Sequence, residues 1–185
     1  MRNTIIAILV IMLLILAGRI ILFRSSPDMK AESNDNIFAN LTSRPQKGSP
    51  APEIVLKDIS GIEKKLGDYK GMPVMVNFWT VDCPPCKKEM PLLQNAAEKG
   101  EGTIAVIGIN MGDPHDKVAS FVQSNNIRFT ILMDTDGLTS ETYRVAAYPI
   151  TYFIDSDGII RDYHTGQLSE ELLKSYTTKL GIPSW

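Results

Sequence analysis

The sequence predicts an α/β domain with a mixed sheet and helices on both faces, and three observations support this class. Two nearly continuous apolar stretches, 73–79 and 103–109, are typical of central strands that are buried on both sides. The segment between them, 84–99, is predicted to be helical, so strand, helix and strand follow as in a βαβ unit. A turn at 155–158 between two short strands, followed by a last helix, predicts an antiparallel hairpin that completes the sheet.

The other elements follow from apolar spacing and turn residues. Short strands at 53–57 and 62–65, joined by a turn at Gly61, predict an N-terminal β-hairpin. The remaining predicted elements are a helical turn at 66–69, a helix at 114–124, a strand at 129–132, a short helix at 139–145, strands at 151–155 and 159–163, and a last helix capped by Ser169.

The N-terminal residues 1–23 are predicted to form a transmembrane signal-anchor helix. Residues 5–23 are apolar apart from Gly18 and the single charge of Arg19, and about 20 apolar residues span a bilayer as a helix. A basic N-terminus and a long apolar run also suit a cleaved signal peptide, but no small-residue cleavage site follows. The polar residues 24–47 predict a flexible tether to a domain at 48–185.

Composition and charge exclude several classes of protein. The 185 residues include only two Cys, which is too few for a disulfide-rich scaffold, and two distant His make a zinc site a poor fit. Residues 51–185 carry 13 Lys and Arg against 18 Asp and Glu, a net charge near −5. Because affinity for nucleic acid depends on neutralising phosphates, we expect no binding to nucleic acid.

The chemistry is predicted at Cys83 and Cys86, which follow a buried strand and begin a helix. Their spacing lets the two sulfurs bond within one helical turn, and a helix N-terminus favours a thiolate. The thiolate is the attacking species in disulfide exchange, so we predict that Cys83 attacks and that the more buried Cys86 resolves the mixed disulfide. A structural staple, a two-thiolate metal site and unrelated buried thiols are the other interpretations of this pair.

The residues around the pair resemble the active-site signature of the thioredoxin superfamily. The segment 76–79 (VNFW) leads to 83–91 (CPPCKKEMP), and 147–151 (AYPIT) resembles the loop that holds the family's cis-proline. The N-terminal hairpin and a helix–strand insertion at about 112–133 are similar to the membrane-anchored, extracytoplasmic TlpA- or ResA-like branch. The resemblance covers about residues 48–181 and implies a thioredoxin-like fold.

The resemblance implies roles for further residues. Pro149 would be the cis-proline whose segment, with Tyr148, docks the substrate chain. Trp79 would be a further residue of the docking surface, flanking the dithiol and limiting access to it. Glu89 stands where a Glu in this branch lies near the active site and influences cysteine reactivity. Asn77 stands where thioredoxins often carry a buried Asp, and since an amide does not exchange a proton, Glu89 or water would take that role.

Two departures from the family's pattern bear on redox tuning and on docking. Asp82 replaces a common aromatic residue directly before Cys83, and a nearby carboxylate raises the pKa of a thiol. Pro84 and Pro85 remove two N–H donors from the first helical turn, so we expect a less stabilised thiolate and a reducing dithiol. Ile150 replaces a frequent Thr after the proline, which leaves the docking of a particular partner open.

The sequence thus predicts an extracytoplasmic thiol-disulfide oxidoreductase, a protein-disulfide reductase held in the cell membrane by a single span at 5–23. We expect a membrane electron donor to re-reduce the dithiol, and a disulfide-bearing protein, for example in cytochrome c maturation, to be the substrate. We expect no organic cofactor or metal, and a monomer. A thiol peroxidase and a metal- or haem-handling binding protein of the same fold are the alternative functions.

Overall fold

The structure is a computed structural model that describes residues 45–182, and the strands and helices predicted in this range are present. The strands are β1 (Val55–Asp58), β2 (Glu63–Lys65), β3 (Val74–Trp79), β4 (Ala105–Met111), β5 (Thr130–Asp134), β6 (Ile150–Ile154) and β7 (Ile160–Thr165). The helices are α1 (Pro84–Lys99), α2 (His115–Ser124), α3 (Leu138–Thr142) and α4 (Glu170–Lys179), with a 3-10 turn at Leu66–Tyr69.

The short helix α3 differs most from its predicted end, while several strands end one or two residues from the predicted position. It ends at Thr142 rather than at residue 145, because Arg144 takes a left-handed φ of 51° and the helix does not continue through it. Its start is fixed by Asp134, whose carboxylate accepts hydrogen bonds from the backbone N–H groups of Thr139 and Ser140. The short helix is therefore bounded by local hydrogen bonding and by one backbone conformation.

The seven strands form one mixed sheet in the order β2-β1-β5-β4-β3-β6-β7. Strands β3, β4 and β5 run parallel, and α1 and α2 connect them, as expected for successive βαβ units. The N-terminal hairpin β1–β2 joins the edge of β5, and β6 and β7 pair antiparallel on the other side of β3. The predicted mixed α/β sheet, its N-terminal hairpin and the inserted helix and strand, α2 and β5, are confirmed.

Successive side chains of β3 point into two separate cores, which is why its sequence is apolar throughout. Met75 and Trp79 belong to the core under the three longer helices, α1, α2 and α4. Val76 and Phe78 belong to the core on the opposite face, which Tyr143 at the end of α3 and the 3-10 turn help to cover. Asn77 alone interrupts the apolar pattern, and it faces the active site described below.

Residues 48 and 49 are hydrogen-bonded to the first residue of β7. The N–H of Gly48 donates to the carbonyl of Ile160 at 2.7 Å, and the N–H of Ile160 donates to the carbonyl of Ser49 at 2.9 Å. The predicted anchor at 1–23 and the tether up to residue 44 lie outside the described residues. Across residues 45–182, none of the helices combines the length and apolar character needed to cross a bilayer.

Candidate active site

The two cysteines form a disulfide at the start of α1, and Cys83 lies four residues after the end of the central strand β3. Cys83 is the N-cap of the helix, and the N–H of Cys86 donates to its sulfur at 3.2 Å. Cys83 is half-buried, whereas Cys86 is 0% exposed. Of the two cysteines, only Cys83 therefore has exposed surface that a partner protein can reach.

The two prolines between the cysteines shape the hydrogen bonding of this helix start. Pro84 and Pro85 are the first two helical residues and carry no N–H, so neither can donate to the sulfur of Cys83. The next N–H, that of Cys86, donates to this sulfur, and the N–H of Lys87 donates to the carbonyl of Cys83 at 3.1 Å. The expected loss of two donors from the first turn is confirmed.

Glu89 lies inside the domain, one helical turn after Cys86 and on the same face of α1. Its side chain is 1% exposed, and its two oxygens accept hydrogen bonds from the Asn77 amide and from the N–H of Leu168, each at 2.8 Å. Burial raises the pKa of Glu89 to about 7, although the hydrogen bonds from Leu168 and Asn77 lower it. The group can therefore gain or lose a proton near neutral pH.

Asn77 connects Glu89 to the strand that follows the cis-proline. Its Nδ2 donates to Glu89 and also to the hydroxyl of Thr151 on β6, at 3.0 Å. Its Oδ1 is buried and has no hydrogen-bond partner among the described residues. The amide holds the carboxylate in place but cannot itself carry a proton, as the sequence predicts.

The segment before β6 has the expected backbone form, since the Tyr148–Pro149 peptide bond is cis. The carbonyl of Pro149 accepts a hydrogen bond from the N–H of Gly166 at 2.8 Å. Tyr148 is half-buried, and its hydroxyl lies 2.8 Å from the sulfur of Met111 at the end of β4. Tyr148 and Cys83 both pack against the same core cluster, which also contains Cys86.

Trp79 requires a correction. Its side chain is 0% exposed, and its ring packs 5.3 Å from that of Phe121 on α2. Gly108 on β4 provides the room, because a Cβ at that position would lie 3.1 Å from the indole nitrogen. The predicted part of Trp79 in substrate docking does not fit, since its side chain has no exposed surface. It packs instead in the core cluster that also contains Cys86 and Val81, a residue of the active-site loop 80–83.

A polar cluster beside the disulfide was missed by sequence reasoning. Lys117 on α2 lies 2.6 Å from the carboxylate of Asp82 and 2.8 Å from that of Asp113. Asp113 also accepts hydrogen bonds from the N–H of Val81 at 2.7 Å and from the Asn110 amide at 2.9 Å. The only sequence signal was the i, i+4 spacing of Asp113 and Lys117; their link to Asp82 depends on the tertiary fold.

Hydrogen bonds to Asp113 favour the charged form of its carboxyl group. Burial acts to raise the pKa of its carboxyl, but the hydrogen bonds from Lys117, Val81 and Asn110 outweigh burial and lower it. Asp82 is thus not the isolated carboxylate that the sequence suggests, because Lys117 balances its charge.

In the described part of the chain, no group of three or more His, Cys, Asp or Glu side chains is placed to hold a metal ion.

A cysteine pair at the start of a helix, together with a cis-proline directly before β6 of this mixed sheet, is the arrangement of thiol-disulfide oxidoreductases with a thioredoxin-like fold. The chain is an enzyme of this class. It belongs to the AhpC/TSA family, whose model matches residues 47–163.

Known relatives agree with this assignment. The thioredoxin-like protein YneN of Bacillus subtilis is 34% identical over 129 residues, which cover 68% of this chain and 75% of the relative. The thiol-disulfide oxidoreductase ResA of Bacillus subtilis is 34% identical over 132 residues, which cover 70% of this chain and 73% of ResA. This chain is therefore similar to both relatives along most of their length.

Solved structures show the same fold. StoA of Bacillus subtilis superposes with a TM-score of 0.61 at 27% identity, covering 70% of this chain and 98% of that structure. A secreted disulfide oxidoreductase of Mycobacterium tuberculosis, homologous to DsbE of E. coli, superposes with a TM-score of 0.62 at 27% identity. The match covers 68% of this chain and 94% of that structure. The chain is a thiol-disulfide oxidoreductase of the ResA and StoA type.

Proposed function

We propose that this protein reduces disulfide bonds of other proteins outside the cytoplasm, with Cys83 as the attacking residue and Cys86 as the resolving residue. The observation that carries the proposal is the unequal burial of the two cysteines at the helix start: Cys83 is accessible and Cys86 is 0% exposed. An accessible sulfur at a helix N-terminus suits attack, because the dipole of the helix stabilises a thiolate there. A buried sulfur one turn further suits resolution from inside.

The reaction transfers two electrons in two exchanges. In the reduced protein, the Cys83 thiolate attacks one sulfur of a substrate disulfide, the substrate's S–S bond breaks, and the released sulfur takes up a proton. Cys86 then gives its proton to Glu89 and attacks the sulfur of Cys83. The Cys83–Cys86 bond forms, the second substrate sulfur leaves as a thiolate and is protonated, and the substrate has gained two electrons and two protons.

The substrate chain is proposed to dock along the segment of Tyr148 and Pro149. This segment borders the core cluster on which Cys83 packs, and an extended substrate could pair with its backbone as an added strand. Trp79 would contribute by holding the loop from below, since it is fully buried.

The proposed location rests on the sequence before the described domain. The apolar residues 5–23 suit a single membrane span, and the polar tether would keep the domain close to the membrane surface. Disulfides form and persist outside the cytoplasm, where a reductase has substrates. We propose that a membrane protein donates the electrons that restore the dithiol, and that the reaction needs no further cofactor. We also propose that the chain works as a monomer and that cytochrome c maturation is one process it serves.

Trapping of the mixed disulfide tests the proposal. In a Cys86→Ala variant of the full chain, the second exchange is blocked, so Cys83 should hold its substrate covalently in cells. Partners would be released by a reducing agent and identified by mass spectrometry. The matched Cys83→Ala variant keeps the same number of thiols and should trap none; if it traps several partners while Cys86→Ala traps none, the assignment of the attacking cysteine is wrong.

A peroxide assay distinguishes the proposed disulfide reductase from the main alternative, a thiol peroxidase. A thiol peroxidase would consume hydrogen peroxide with a turnover that depends on Cys83, whereas a disulfide reductase would show substantial turnover only with disulfide substrates. Fast peroxide turnover by the full chain, together with no trapped protein partner, would contradict the proposed function.

A further inference from the structure

We propose that Lys117, in the inserted helix α2, is a positioning residue for disulfide exchange: it neutralises Asp82 and thereby keeps Cys83 reactive as a thiolate. The inference deepens the proposed function, because it rests on Cys83 being the attacking residue. It concerns a residue 34 positions away in sequence from the cysteine that it serves.

The geometry places Lys117 between two carboxylates. Its ammonium lies 2.6 Å from Asp82, whose side chain is 79% exposed, and 2.8 Å from Asp113, whose side chain is 10% exposed. Without Lys117, Asp82 would carry an unbalanced negative charge on the residue directly before Cys83. A like charge close to a thiol disfavours its ionised form.

Asp113 gives this ion pair its fixed position. Its carboxylate also accepts from the N–H of Val81 and from the Asn110 amide, so it is tied to the active-site loop and to the end of β4. A lone exposed pair of Lys and Asp gains little, because both side chains must be ordered and water screens them. In a network whose second carboxylate is already fixed, Lys117 stays beside Asp82 at a smaller entropic cost.

Other charged or titratable groups near Cys83 do not take over this role. On α1, Lys87 and Lys88 are exposed and Glu89 is buried, while Tyr148 on the docking segment is half-buried. Within residues 45–182, Asp82 forms its ion pair with Lys117 and with none of these residues. All of them are unchanged when Lys117 is replaced, so a difference between variants reports on Lys117.

The size of the effect follows from Coulomb's law. For a unit negative charge assumed to lie about 7 Å from a thiol, with an effective dielectric constant of about 40 to 80, Coulomb's law raises the pKa of the thiol by roughly 0.5 to 1. Below its pKa, the thiolate fraction of Cys83 then falls roughly three- to tenfold, and its rate of alkylation falls with it.

The experiment measures the pKa of Cys83 in the full chain with Cys86→Ala, where Cys83 is the single thiol. The rate of alkylation by iodoacetamide is followed against pH for Lys117→Met. The pKa should rise by roughly 0.5 to 1. Lys117→Arg should restore it, and Lys174→Met, which removes a comparable ion pair with Glu170 on α4, should leave it unchanged.

Two further results show whether Lys117 acts through Asp82. Adding Asp82→Asn to Lys117→Met should return the pKa of Cys83 to about its original value, because the unbalanced charge is gone. High salt should shrink the effect of Lys117→Met, since the pair is exposed and screened. A purely structural role of Lys117 would produce neither result.

The proposal is overturned if folded Lys117→Met leaves the pKa of Cys83 unchanged, or if the double variant keeps the full rise. Should Lys117→Met fail to fold, Asp82→Asn alone decides: leaving Lys117 unbalanced on that side should lower the pKa of Cys83, and an unchanged value refutes the proposal. Failure of the proposed function is a separate result, since Cys86→Ala would then trap no substrate even though these pKa changes are present.

Discussion

The buried carboxylate of Glu89 makes a quantitative prediction about stability and pH. Burial raises its pKa to about 7 from the ordinary value of 4.5, against the hydrogen bonds that lower it. The folded protein therefore binds this proton more tightly than the unfolded chain does. Its contribution to stability is fully present below pH 4.5 and is lost as the pH rises through 7. A pKa difference of about 2.5 corresponds to about 3 kcal/mol of unfolding free energy.

Glu89→Gln removes this dependence while keeping the shape of the side chain. The Gln carbonyl can still accept from the N–H of Leu168. Its amide group can donate to the Oδ1 of Asn77, which has no partner among the described residues, once the Asn77 amide turns over. Turning the Asn77 amide moves its Nδ2 to the position where Oδ1 has no partner, so the number of unsatisfied atoms in Asn77 stays at one. We therefore expect the variant to fold and to avoid the cost of a buried charge.

Urea unfolding of the oxidised full chain at pH 4 and pH 8.5, followed by tryptophan fluorescence, measures the effect. Relative to Glu89→Gln, the wild type should lose about 3 kcal/mol between these two pH values. Glu171→Gln, which replaces an exposed carboxylate on α4, should follow the wild type to within about 0.5 kcal/mol. Parallel curves for the wild type and Glu89→Gln would refute the link between the burial of Glu89 and its proton.

Two further predictions concern the scaffold around the site. Gly108→Ala should lower the unfolding free energy by about 1 to 3 kcal/mol, because the new Cβ would lie 2.8 Å from the side chain of Ile131. In the control Gly67→Ala the new Cβ meets only the end of a flexible side chain, so the unfolding free energy should fall less. Equal losses for the two variants in urea unfolding would contradict the close packing at Gly108. Ser169→Ala should cost about 1 kcal/mol through loss of the helix cap to Leu172, and an unchanged urea midpoint would contradict this.

The parts of the fold and site that the sequence predicts are those determined by local pattern. The apolar run of β3, the helix that begins beyond Cys83 and the Ser169 cap are each specified by residues close in the chain. The cis form of the bond before Pro149 was predicted through the family resemblance and is confirmed. Such features depend on backbone preference and spacing, which a sequence carries directly.

The parts that escaped prediction depend on which side chains meet in space. Lys117 and Asp82 are 35 residues apart and are brought together only when α2 packs beside the active-site loop. The complete burial of Trp79 follows from the space that Gly108 leaves on the next strand. The environment of Glu89 likewise includes the N–H of Leu168, which is distant in sequence. The sequence alone therefore does not distinguish a buried Glu89 that can accept a proton from an exposed carboxylate on the helix surface.

The equilibrium redox potential of the Cys83–Cys86 pair, measured for the full chain in glutathione mixtures, tests the proposed reductase function most directly. Two prolines remove N–H donors that would stabilise the Cys83 thiolate, and a less stabilised reduced form is a better electron donor. We predict a potential below about −180 mV, the value typical of protein disulfide isomerase. A potential above this value, toward the roughly −120 mV of a strong periplasmic oxidant, would contradict a reductase.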